Sequence, residues 1–96
     1  MKRNGAKRWF ISGRVQGVGF RYTVVELARR FAVAGTVRNL RAGDALEIDV
    51  EGEPDEVDRF IEAVRRQPPP LGRIDELESA AAEPRGLANF SYAPSA

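Results

Sequence analysis

The stretch TVRNLRAGDALEIDVE, Thr36–Glu51, decides the fold. From Ala45 to Glu51 the apolar residues Leu46, Ile48 and Val50 alternate with Glu47, Asp49 and Glu51. A period of two with one apolar and one charged face marks a strand of an antiparallel sheet. Thr36–Leu40 predicts a partner strand. RAGD, Arg41–Asp44, predicts the turn between them, with Gly43 free to take a positive φ. The two strands form a hairpin. Its charged face is expected to be solvated rather than to hold a metal.

On the N-terminal side, Arg8–Val15 reads as a strand in which Trp9 and Ile11 point one way and Arg8, Ser12 and Arg14 the other; Phe10 spoils the alternation. Val24, Leu27, Ala28 and Phe31 then fall at i, i+3, i+4 and i+7, one apolar stripe of a helix. That helix is expected to start between Arg21 and Thr23, with Thr23 and Glu26 as a capping box, and to stop near Ala34–Gly35. On the C-terminal side, GEPDE opens a second helix carrying Val57, Phe60, Ile61 and Val64, and QPPP ends it. Arg73–Ser79 predicts a weaker strand. Ile74 and Leu77 do not alternate there, which points to a bulge or another register. Leu87–Tyr92 predicts a short closing strand after a loop. The order β-α-β-β-α-β is that of a ferredoxin-like α+β fold, a two-layer sandwich with both helices on one face of an antiparallel sheet.

Composition narrows the chemistry. The 96 residues make one domain, read as a basic tail over residues 1–7 and a folded unit over 8–96. Fifteen basic and fourteen acidic residues give a formal charge of +1, so no bulk attraction draws in nucleic acid or an anionic membrane. There is no cysteine and no histidine. Thiolate nucleophiles, imidazole relays and ordinary zinc sites are therefore excluded. No signal peptide or membrane span is legible, and a cytoplasmic protein is expected.

Between the first strand and first helix lies GRVQGVGFR, Gly13–Arg21. A glycine-rich lead-in lets successive backbone N–H groups converge at a helix N-terminus, where an anion is favoured. Gln16, Gly17, Val18, Gly19 and Phe20 could line such a cradle, and Arg21 would add a charged fork matched to phosphate. A dinucleotide fingerprint is excluded by Tyr22 at its third glycine, and a Walker loop by the missing lysine. On these residues alone, an ordinary strand–helix connection with glycines for tight turning remains the commoner reading.

GRVQGVGFR followed by GTVRN, Gly35–Asn39, resembles the acylphosphatase signature, and the similarity continues through the acidic strand, Glu51-Gly52 and the second helix. Thr36 stands where that family often has tryptophan. The resemblance implies a ferredoxin-like fold and metal- and cofactor-free hydrolysis of the carboxyl–phosphate bond of a small acyl phosphate. It implies catalytic roles for Arg21 and Asn39, and a phosphate cradle formed by the backbone from Gln16 to Phe20. A monomer is expected. A catalytically silent regulatory domain is one rival, against which the intact Arg21 and Asn39 argue; two others share features with this reading. RNA-recognition domains have the same element order, but the strand that would stack bases here exposes Glu47, Asp49 and Glu51, which repel phosphates. Carbamoyl-phosphate-handling domains at the N-terminus of hydrogenase-maturation proteins continue into zinc-finger domains, for which this chain has no cysteine.

Overall fold

Strand pairing around the hairpin organises the molecule. The computed structural model describes residues 5–42 and 44–96. In chain order the elements are β1 (Gly5–Arg14), α1 (Phe20–Ala28), β2 (Val33–Leu40), β3 (Ala45–Gly52), α2 (Pro54–Arg66), β4 (Arg73–Ala81) and β5 (Phe90–Tyr92). The sheet order is β4-β1-β3-β2-β5. β3 pairs antiparallel with both β1 and β2, and β4 pairs antiparallel with β1. The expected all-antiparallel sheet needs one correction: β5 lies parallel to β2, so the five-stranded sheet is mixed.

The alternation in β3 builds the core. Leu46, Ile48 and Val50 are buried, and across the ladder they face Ile11, Trp9 and Lys7 of β1 and Asn39, Val37 and Gly35 of β2. Val24, Leu27 and Ala28 of α1 and Val57, Phe60, Ile61 and Val64 of α2 close over this face. Phe60 receives the rings of Phe31 and Phe90 edge-on, at centroid distances of 6.1 and 5.4 Å. Phe90 thereby fixes β5 to the helix layer. Among the described residues no helix is long and apolar enough to cross a membrane.

Several local expectations are corrected. α1 ends at Ala28 rather than near Gly35, because Val33–Leu40 pairs with β3 along its whole length. Gly35 is no helix stop. It sits inside the sheet, where a Cβ would run into the carbonyl of Asp49, and its N–H donates to Asn89 at 3.0 Å. The N-cap of α1 is Gly19, not Thr23, so the capping box does not form. Thr23 Oγ1 bonds back to the Gly19 carbonyl at 3.2 Å, and Glu26 pairs with Arg29 at 3.0 Å. The irregularity around Ile74 is a bulge: Ser12 pairs with Glu76 and Gly13 with Ile74, which skips Asp75 and turns both Ile74 and Leu77 to the core. Residues 5–7 of the expected tail belong to β1. Met1–Asn4 and the expected positive φ of Gly43 lie outside the described residues.

The acidic face of β3 is not the solvated surface its alternation suggests. Glu47 is 4% and Glu51 8% exposed. Arg8 Nε lies 2.9 Å from Glu47 and 2.7 Å from Asp49, and Arg38 also pairs with Glu47. The connection from β4 to β5 crosses this face, and the Glu51 carboxylate accepts the N–H groups of Arg85 (2.6 Å) and Leu87 (2.5 Å).

Candidate active site

The β1–α1 loop and the end of β2 meet at a hollow of about 330 Å³. Val15, Gly17, Gly19, Phe20, Arg21, Tyr22, Asn39 and Tyr92 line it. Gly17 and Gly19 take φ of 73° and 80°, left-handed conformations that side-chained residues reach only at a cost. A Cβ at either would meet nothing within 4 Å, so the backbone turn, and not lack of room, asks for glycine. These turns deliver the chain into α1 at Phe20.

The N-terminus of α1 carries no acidic residue in its first turn and no side-chain cap. Its unpaired N–H groups and partial positive charge are left facing the hollow. α2 is built the other way, with Asp55 and Glu56 in its first turn. Arg21, half-buried on the first turn of α1, adds a full positive charge. Among the described residues no carboxylate pairs with it. The Tyr92 ring centroid lies 6.0 Å from its guanidinium carbon.

Asn39 reaches the hollow from β2, opposite Leu46 on the helix side of the sheet. Its Oδ1 is buried and has no hydrogen-bond partner among the described residues. An unsatisfied buried amide oxygen is costly, and such atoms concentrate where a ligand or water is to be held. The strand end that carries Asn39 is itself fastened: Ala96 N–H donates to the Asn39 carbonyl at 3.0 Å, and Ala93 N–H to Val37 at 2.9 Å.

Of the residues singled out from sequence, Gly17, Gly19, Phe20, Arg21 and Asn39 line the hollow together. Gln16 and Val18 do not. The Gln16 N–H donates to Asp44 Oδ1 at 3.0 Å, and its side-chain Nε2 donates to the carbonyls of Leu40 (2.7 Å) and Ala45 (2.9 Å). Val18 packs its side chain against the apolar core. Sequence reasoning missed Tyr22 and Tyr92. Tyr22 was visible beside Arg21 but noted only as the residue displacing a third glycine. Tyr92 arrives through parallel pairing with β2, a long-range contact that leaves no local signal.

Known proteins are similar to this chain along most of its length. The Acylphosphatase family model matches residues 7–92. The acylphosphatase of Acidiphilium cryptum is 48% identical over 85 residues, covering 88% of this chain and 91% of that protein. The crystal structure of acylphosphatase from Bacillus subtilis superposes with a TM-score of 0.86 at 33% identity, covering 95% of this chain and 99% of that one. Full-length HypF, in a phosphate- and nucleotide-bound form, contains a region that superposes with a TM-score of 0.90 at 35% identity. That match covers 99% of this chain but only 12% of HypF. A family model matched over residues 7–92 and relatives sharing close to half of its residues place this protein in the acylphosphatase family.

Proposed function

We propose that this protein hydrolyses the carboxyl–phosphate bond of acyl phosphates, giving a carboxylate and inorganic phosphate. In this reading the 16–21 loop and Arg21 hold the phosphoryl group, and Asn39 orients the attacking water. The observation that carries it is the convergence of an uncompensated helix N-terminus, an arginine without a carboxylate partner and an orphaned asparagine oxygen on one hollow. In this reading the N–H groups that hold the phosphoryl oxygens come from Gly17 onward. Gln16 serves the loop by anchoring it, since its own N–H is taken by Asp44.

An acyl phosphate is a mixed anhydride with a good leaving group, so the departing carboxylate needs little acid assistance. Positioning and electrostatics can supply the catalysis. Loop N–H groups and the Arg21 guanidinium stabilise the charge on the phosphoryl oxygens in the transition state. The Asn39 Oδ1 accepts a hydrogen bond from water and aims its lone pair at phosphorus. An amide is no general base near neutral pH, so the proton passes to a phosphate oxygen of the substrate. The reaction then runs without histidine, metal or cofactor, in a cytoplasmic monomer whose site residues all come from one chain.

Benzoyl phosphate hydrolysis tests this. Arg21→Ala and Asn39→Ala should each lower kcat by roughly 10²–10³-fold, as loss of a single transition-state contact does elsewhere. A folded Arg21→Ala protein with near-wild-type turnover would falsify the assignment. The second reading raised by the sequence is a domain handling carbamoyl phosphate. A kcat/KM for carbamoyl phosphate far above that for benzoyl phosphate would support it instead.

A further inference from the structure

We infer that Tyr22 and Tyr92 form an aromatic clamp that selects acyl phosphates with a planar, apolar acyl group. The inference rests on the acylphosphatase reading and names the substrate class for the same site. Among the described residues the exposed large hydrophobic side chains are Tyr22 (62%), Leu71 (70%) and Tyr92 (51%). Two of the three stand at the mouth of the hollow that holds Arg21 and Asn39.

The lining divides into two parts. Gly17, Gly19, Arg21 and Asn39 present polar groups suited to a phosphoryl group and a water. What remains for the rest of the substrate is Val15, Phe20, Tyr22 and Tyr92. Val15 and Phe20 are each only 1% exposed, so they offer almost no surface to a ligand. The acyl group must therefore meet the two tyrosines.

Their placement suits this. Tyr22 follows Arg21 on the first turn of α1. Tyr92 pairs with Val37, two residues from Asn39 on the same face of β2, and its ring faces the Arg21 guanidinium. A phosphoryl group held by Arg21 leaves its acyl substituent beside that ring. Burying tyrosine faces against a flat apolar group removes apolar surface from water while the hydroxyls stay wet. Among the described residues of the lining Arg21 alone is charged, and it is assigned to the phosphoryl group, so no second charge among them would compensate a charged acyl chain.

The test compares kcat/KM for benzoyl phosphate and acetyl phosphate. The wild type should favour benzoyl phosphate. Tyr22→Ala and Tyr92→Ala should each lower the benzoyl-to-acetyl ratio about three- to tenfold, and Tyr22→Phe and Tyr92→Phe should keep it within about twofold. Inhibition by inorganic phosphate reports on the cradle in the same proteins. If Tyr92→Ala weakens phosphate inhibition and depresses both substrates equally, Tyr92 only positions Arg21 and the clamp is overturned. A ratio unmoved by Tyr22→Ala overturns it too. A wild type inactive on both substrates overturns the parent reading, which separates that failure from the failure of the clamp.

Discussion

The Gln16 side chain donates from Nε2 to the Leu40 carbonyl at 2.7 Å, and so ties the glycine-turned loop to the strand end beside Asn39. The same amide reaches Ala45 at 2.9 Å, across the hairpin turn. One side chain thus holds both halves of the site in register. Gln16→Ala removes both bonds, which should cost about 1–3 kcal/mol. Urea unfolding measures that loss. Steady-state assays of the same variant should show a lower kcat, since the distance between cradle and Asn39 is no longer fixed.

Two glycines of the region should respond differently to the same added methyl. At Gly19 space is open and only the left-handed backbone resists, so Gly19→Ala should fold with a loss of about 1–2 kcal/mol. At Gly35 a Cβ would overlap the Asp49 carbonyl and press on the Phe90 ring. Gly35→Ala should lose about 3 kcal/mol or more and loosen β5. Chemical denaturation of the two variants side by side gives the comparison. Equal losses would contradict the packing described for Gly35.

Glu51 is the fastening point of the β4–β5 connection. A glutamine there keeps one acceptor oxygen where the carboxylate offers two, so one of the N–H groups of Arg85 and Leu87 loses its partner. Glu51→Gln should destabilise by about 1–3 kcal/mol. The amides of Arg85 and Leu87 should exchange with solvent faster than in the wild type, ahead of those in β3. Unchanged exchange at both amides would show that the carboxylate does not hold the connection.

Acid should act in part through α2. Hydrogen bonds from Arg65 and Arg66 hold the Glu62 carboxyl down to about 2, against an ordinary 4.5. A lowered folded-state pKa means that the stabilisation is fully present above about pH 4.5 and is lost as pH falls toward about 2. The pair is exposed, so the effect is small and screened by salt. Urea midpoints of wild type and Glu62→Gln should differ above pH 4.5 and converge near pH 2. A gap that stays constant over this range would remove Glu62 from the acid response.

Much of this was legible in the residues, and the misses share a cause. The alternation of Leu46, Ile48 and Val50 and the two helical stripes reported local periodicity against a single apolar layer, which suffices for the element order. The skipped alternation at Ile74 and Leu77 pointed to a bulge or another register, and the pairing makes it a bulge. What failed depended on distant partners. Gly35 looks like a helix stop until β3 and β5 are laid beside it. Glu47 and Glu51 look solvated until Arg8, Arg38 and the 82–89 connection cover them. Gly17, Gly19, Phe20, Arg21 and Asn39, which line one hollow, all stand in two short motifs. Tyr92 does not, and only the parallel pairing of β5 brings it there.

β3 contributes no residue to the hollow, yet it lies between β1, which leads into the cradle, and β2, which carries Asn39. Two strand spacings of about 4.8 Å each therefore separate the strand that leads into the glycine-turned loop from the strand that carries Asn39. The gauge of the site is a backbone dimension, the same whatever side chains β3 bears. A nascent chain that has not yet added β3 holds both motifs but lacks the strand that spaces them. Apolar exchanges at Leu46 or Ile48 that keep the ladder intact should accordingly register in melting temperature and leave turnover nearly alone.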